Sequence, residues 1–273
     1  MVNMGNVWDR TSEFLGDALR VLMPVVLVTM LVPNTVNALA GGAVTTVNPA
    51  IVQAVALVCA LVSLWGQLVV IALTLDPDGG RSRATAAATR SFGRGVAAML
   101  VLLAAVLILA APVIGVMVAN GVDLSALNNG GMARANLTSG ATMFVSLYSI
   151  ALVGVILFVA VRLALLYPVI VAEGGVIAAI RRAWSLSRGM VWKMIGVWLL
   201  FVIVYLVAAA AITSGIGVVI GFFADMQNPF SPGRIVVAIL SGVVTTAFTL
   251  VVAVFSAKLY RAALAAREGV ATA

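Results

Sequence analysis

The chain has 273 residues, 63% hydrophobic and 9% charged, with a formal net charge of +7 and a mean hydropathy of +1.20. A soluble domain is roughly 45–50% apolar and about 25% charged, so this composition excludes a soluble globular fold and leaves no stretch for a separate water-soluble domain. The basic excess sits in short clusters beside apolar runs, which reads as topology signals and anionic-lipid contacts and not as nucleic-acid binding.

In chain order, Trp8, Phe14, Leu15, Leu19 and Leu22 gather on one side of a helix while Asp9, Arg10, Glu13, Asp17 and Arg20 cover the other. That is the pattern of a helix lying in the interface plane. It lacks the basic start, short apolar run and cleavage site of a secretory signal, so it reads as retained. Six apolar segments follow, at residues 21–39, 51–75, 96–119, 143–169, 194–212 and 235–257. Each is long enough to cross a hydrocarbon core of roughly 30 Å as a helix. Beyond Ile212 the apolar character continues through Ser214, Gly215 and Gly217 to Phe223, so the fifth span ends either in a longer tilted helix or in a short interfacial piece.

The polar edges alternate in charge. The first connection carries none, the third only Asp123 and Arg134, and the fifth only Asp225 and Arg234. On the other side lie Arg10 and Arg20; Arg81, Arg83, Arg90 and Arg94; Arg181, Arg182, Arg188 and Lys193; and Lys258, Arg261 and Arg267. By the positive-inside rule the basic edges and both termini are cytoplasmic, as an even number of spans requires. The Asn136-Leu137-Thr138 triplet has the form of a glycosylation sequon, but such triplets arise often by chance and carry no weight.

The chain also repeats. QLVVIALTLDPDGG from Gln67 aligns without gaps to RLALLYPVIVAEGG from Arg162, pairing Gln67 with Arg162 and Asp78-Gly79-Gly80 with Glu173-Gly174-Gly175. Lys258-Leu259 and Glu268-Gly269 continue the series, and TRSFGRG from Thr89 matches AWSLSRG from Ala183. The expected fold is therefore an all-α polytopic membrane protein in one domain. Its six transmembrane helices form three parallel helical hairpins, in units of about residues 8–80, 81–175 and 176–269, each preceded by an interfacial amphipathic helix.

Within this frame Arg162 lies near the cytoplasmic end of the fourth span, where a long side chain snorkels to the interface and avoids most of the cost of a charge in hydrocarbon. Pro168 bends the exit from the membrane, and Glu173-Gly174-Gly175 turns the chain into the interface plane. Beyond it Val176, Ile177, Ile180 and Trp184 share one face, with Arg181, Ser185 and Arg188 on another. Arg162, Arg181, Arg182 and Arg188 with Trp184 are expected to form a cytoplasmic headgroup-binding rim, joined by Lys193, Arg90, Arg94, Lys258 and Arg261. Arg162 and Glu173 are candidates for a direct ion pair.

Arg162, Leu163, Leu165, Pro168 and Glu173, with Ser185 and Gly189 downstream, resemble the signature of the membrane domain found ahead of some glycerophosphoryl diester phosphodiesterases. The pattern is similar to that of related stand-alone bacterial inner-membrane proteins, best over residues 151–204. The resemblance implies a six-helix membrane domain with amphipathic connections and a bacterial host. Its chemistry does not carry over: in those enzymes catalysis belongs to a soluble barrel using histidines and a metal-binding carboxylate set, whereas this chain has no histidine.

Other chemistry is equally thin. A single cysteine, Cys59, forms no intrachain disulfide, and the nine acids lie outside the spans without metal-ligand spacing. No phosphate-binding or nucleophile-elbow motif occurs. Span hydroxyls such as Thr29, Thr245 and Thr246, and Gln67, read as interhelical hydrogen-bonding groups, and Gly215, Gly217 and Gly221 as points of close helix approach. The expectation is thus a non-enzymatic inner-membrane protein without cofactors. It would bind or organise anionic lipids of the cytoplasmic leaflet, a membrane-protein partner or a second copy through its basic interfacial helices. The alternative is a transporter, lipid translocator or channel for a small or lipid-like substrate, and a membrane-embedded enzyme is the third class.

Overall fold

The computed structural model describes residues 3–43, 48–122, 138–221 and 231–269. Asp123, Arg134, Asn136, Leu137, Asp225 and Phe223 lie outside the described residues. Every regular element within them is helical: α1 (Met4–Val26), α2 (Val32–Ala43), α3 (Pro49–Leu75), α4 (Gly80–Ala119), α5 (Ser139–Arg162), α6 (Leu166–Ala172), α7 (Val176–Leu186), α8 (Val191–Ala210), α9 (Gly217–Gly221) and α10 (Pro232–Glu268). A π-helical turn, Leu27–Leu31, joins α1 to α2, and another, Ala211–Ile216, joins α8 to α9. Six of the resulting runs are long and apolar enough to cross a membrane. This is a multi-pass membrane protein.

Local chemistry fixes the ends. Asn48 accepts a bond from Ala50 N (2.9 Å) ahead of Pro49, and Ser231 accepts one from Arg234 N (3.3 Å) ahead of Pro232. Both combine an N-cap side chain with a proline whose missing N–H costs nothing in the first turn. The π turn Leu27–Leu31 ends two residues before Pro33. Proline has no N–H for the carbonyl four residues back and its ring crowds it, so the helix widens there instead of breaking.

Two differences from the sequence reading stand out. The amphipathic segment before span one is continuous with it, and α4 runs unbroken for 40 residues from Gly80 through the basic segment into span three. Only the third segment, α7, is a separate helix. In span four the break falls at Leu163-Ala164-Leu165, ahead of Pro168. Pro168 is thereby left in the first turn of α6, where its missing N–H is harmless. Span five extends by the π turn into α9, as the longer of the two expected endings.

Helix α10 is the central element, packing on α1, α2, α3, α6, α7 and α8. The buried core lies toward the basic ends of the helices, in one cluster around Leu22, Met30, Leu68, Ile71 and Val254 and a second around Leu165, Ile170, Leu186, Met194 and Leu259. Toward the opposite ends α4, α5 and α8 bury little: Val161 is the one buried side chain described in α5. In lipid, helix association rests on close van der Waals fit and interhelical hydrogen bonds and not on removal from water. The close fits occur at Gly66, where a Cβ would lie 2.0 Å from Thr29 Oγ1, and at Gly242, 2.4 Å from Thr35 Oγ1; Gly215 meets nothing within 4 Å. Asn34 Nδ2 donates to Thr246 Oγ1 (3.0 Å), binding α2 to α10.

Candidate interfacial site and membrane cavity

The glycine turns that the sequence alignment pairs share part of their backbone geometry. Gly80 and Gly175 both adopt positive φ (65° and 73°), and so do Gly174 and Gly269 (75° and 69°), conformations that only glycine adopts freely. Gly174 has a second constraint, since a Cβ there would lie 2.0 Å from an Arg94 guanidinium nitrogen. Arg94 is thus seated against the Glu173-Gly174-Gly175 turn from α4. Gly79 departs from the pattern with φ −68°.

Arg162 does not pair with Glu173. Its guanidinium lies between two rings, 5.2 Å from the centroid of Phe158 and 4.5 Å from that of Trp184. Nη1 donates to Trp184 O at 3.4 Å, Nε is buried without a partner, and among the described residues no carboxylate approaches. Glu173 is engaged elsewhere: its Oε1 accepts from Tyr260 Oη (2.9 Å) and Arg182 Nε (3.3 Å). Asp78, which aligns with Glu173, is exposed, and Asp76 takes the pairing role with Arg83 at 3.2 Å while capping Gly79 N.

Several other predicted headgroup residues are also occupied. Lys258 Nζ stands 4.6 Å from the Phe14 ring centroid. Arg261 donates to Leu75 O at the end of α3; Arg267, which the sequence marks only as a topology signal, donates to Ser185 O and Oγ of α7. Arg90, Arg181, Arg188 and Lys193 are exposed, and their side chains make no hydrogen bond or ion pair among the described residues. On α7 the packed face is Ala179, Ala183 and Leu186, while Ile177 is 70% exposed, away from the Val176 and Ile180 with which the sequence pattern grouped it. The outward face therefore combines Ile177, Arg181 and Arg188. Gly189, with φ +83°, turns the chain from α7 towards α8, where Trp192 is 86% exposed.

The second feature was not legible in the sequence. A cavity of about 570 Å³ lies among α3, α4, α5, α6, α8 and α10. It is lined mostly by carbon, and no charged side chain reaches it. Its polar groups are few: Tyr205 Oη and Thr245 Oγ1 bond each other across α8 and α10 at 3.4 Å, and Thr249 donates to Thr245 O. Gln67 and Tyr167 also line it and make no side-chain hydrogen bond among the described residues. No family model, curated protein or solved structure matches the chain. Among the described residues no group of three or more metal-ligating side chains occurs.

Proposed function

We propose that the protein is a non-enzymatic component of a bacterial inner membrane that binds anionic lipid headgroups along its basic face, with both termini in the cytoplasm. The observation that carries this reading is Arg162. Stacking on two rings contributes about 0.5–2 kcal/mol, yet it supplies no counter-charge. A guanidinium has five N–H donors, and here one makes a single long bond. A lipid phosphate at the interface meets both needs, and Arg181, Arg188, Lys193 and Arg90 supply the surrounding positive field.

The three-unit parse supports the same reading. Arg162 at the end of the second unit reaches Trp184 of the third, and Lys258 at the end of the third reaches Phe14 of the first. At the remaining junction Trp65 Nε1 of the first unit meets Thr89 Oγ1 of the second at 3.3 Å. These contacts support a reading in which the units follow one another in a ring, each amphipathic segment receiving the previous hairpin. The resemblance to the membrane domain of glycerophosphoryl diester phosphodiesterases rests on the Arg162 to Gly189 signature and brings no chemistry with it. A lipid translocator is the second reading, and the cavity is what favours it.

Native mass spectrometry of protein extracted gently with its own lipids tests the proposal. Anionic lipids should be retained by the wild type and lost from Arg162→Gln, and more fully when Arg181 and Arg188 are also replaced by Gln. Lipid content unchanged in all these variants would overturn the reading.

A further inference from the structure

We infer that the cavity is a binding site for an uncharged, single-chain amphiphile of the monoacylglycerol type. Its acyl chain would lie along the α4–α5–α8–α10 wall, and its ester or hydroxyl group would meet Gln67 and Tyr167. Three observations converge on this class. The first is depth. On α10 the lining runs from Ser256 back to Thr245, about 16 Å at 1.5 Å per residue, close to half of a roughly 30 Å hydrocarbon core. The cavity therefore extends from the basic end of the bundle to about mid-membrane, the reach of one leaflet's acyl chain.

The second is polarity. Buried polar groups are normally paired, and in hydrocarbon an unpaired amide has no water to turn to. Thr245, Thr249 and Ser256 satisfy themselves on Tyr205 or on backbone carbonyls. Gln67 and Tyr167 do not. An amide offers both donor and acceptor and a phenol offers the same, which suits an ester or glycerol hydroxyl. Trp198, another lining residue, has its indole Nε1 buried without a partner and adds a third open donor.

The third is charge. A phosphate drawn into a cavity with no cation would lose its hydration without compensation, so the head must be neutral. This site is independent of the anionic headgroup site at Arg162, whose guanidinium lies between Trp184 and Phe158 and does not line the cavity.

The test uses the purified full chain in detergent micelles, photolabelled with a diazirine-bearing palmitoyl monoacylglycerol. The same chain on lysophosphatidic acid serves as the anionic comparison. Crosslinked peptides should map to cavity residues such as Leu109, Ile156 and Val202. Labelling there should fall about tenfold in Ala160→Phe, which fills the cavity from an accessible lining position, and roughly threefold to tenfold in Gln67→Leu, in proportion to one hydrogen bond. The anionic analogue should label the cavity weakly, and Arg162→Gln should leave monoacylglycerol labelling unchanged. Crosslinks confined to outward-facing residues such as Ile108 and Ile150 would overturn the site, and the wild-type map alone decides this if Ala160→Phe does not fold. Equal cavity labelling by lysophosphatidic acid would overturn the uncharged class. Loss of retained anionic lipid in Arg162→Gln with cavity labelling intact would separate the two sites.

Discussion

Tyr260, on the basic-end extension of α10, donates to Glu173 Oε1 at 2.9 Å, and Arg182 Nε meets the same oxygen at 3.3 Å. One carboxylate thus ties span six to the end of span four and to α7. The two contacts differ in worth. The Arg182–Glu173 side chains are 41% and 38% exposed, so the pair contributes about 0–1 kcal/mol. Tyr260 is 4% exposed, so its hydroxyl meets little water, and removing the carboxylate takes away the acceptor it holds at 2.9 Å. Glu173→Ala is expected to cost about 1–3 kcal/mol, and Glu173→Gln, which keeps an acceptor, distinctly less. Reversible unfolding in mixed micelles measures both, and equal losses would place the effect on charge instead of on the hydroxyl.

Gly66 and Thr29 set the contact between spans one and two. A side chain at 66 would strike Thr29 Oγ1, itself donating to Val25 O at 2.7 Å, and Thr29 Cβ lies only 2.7 Å from the same point. Gly66→Val should therefore destabilise by roughly 1–3 kcal/mol through overpacking. Thr29→Gly should recover part of that loss in the double variant, since neighbouring sites couple. Additive losses in the same unfolding assay would mean that the helices separate freely.

The parts that could be read from sequence are those set by local pattern. The Ile51 to Leu75 segment stands as read, because a charge-free run of that length has one outcome in lipid. The glycines of the Glu173 turn announced a backbone that only glycine tolerates. What escaped depends on tertiary placement. The basic segment from Arg81 to Arg94 reads as an interfacial helix separate from span three, yet no proline interrupts the chain between Gly80 and Pro112 and a single 40-residue helix follows. Arg162 and Glu173 are close in sequence, but the break at Leu163-Ala164-Leu165 sends Arg162 to Trp184 and leaves Glu173 to Tyr260, 87 residues away. Gln67 read as helix glue, and only the splaying of α4, α5 and α8 reveals it as a cavity residue. Tyr167 gave no sequence signal beyond its place beside Pro168.

Arg261 reads from sequence as lipid-facing and Arg267 only as a topology signal, whereas both cap helix ends within the protein, on Leu75 O and Ser185 O. Carbonyls at a helix C-terminus lack intrahelical donors and carry partial negative charge, so a guanidinium there satisfies both deficits. Arg267→Ala should raise amide hydrogen exchange across α7, Val176–Leu186, while leaving Pro49–Leu75 unchanged. Arg261→Ala should do the reverse, loosening the last turn of α3. The readout is hydrogen exchange by mass spectrometry in detergent, and a uniform rise in both segments in either variant would show that α10 acts as a whole and not through individual caps.

The basic face can be assigned to a compartment without reference to lipids. Cys59 is the single cysteine and is buried, so Cys59→Ser gives a background for placing new thiols. Asn48 caps the start of α3, while Arg81 and Arg188 lie at the opposite ends of the spans, and all three are exposed. Lys and Arg resist translocation, so the proposed topology puts the edge carrying Arg81 and Arg188 inside and Asn48 outside. In intact cells a membrane-impermeant maleimide should label Asn48→Cys and spare Arg81→Cys and Arg188→Cys, which become reactive only after the membrane is opened. Labelling of Arg188→Cys in intact cells would invert the topology, and the Arg162 site would then face the outer leaflet of that membrane.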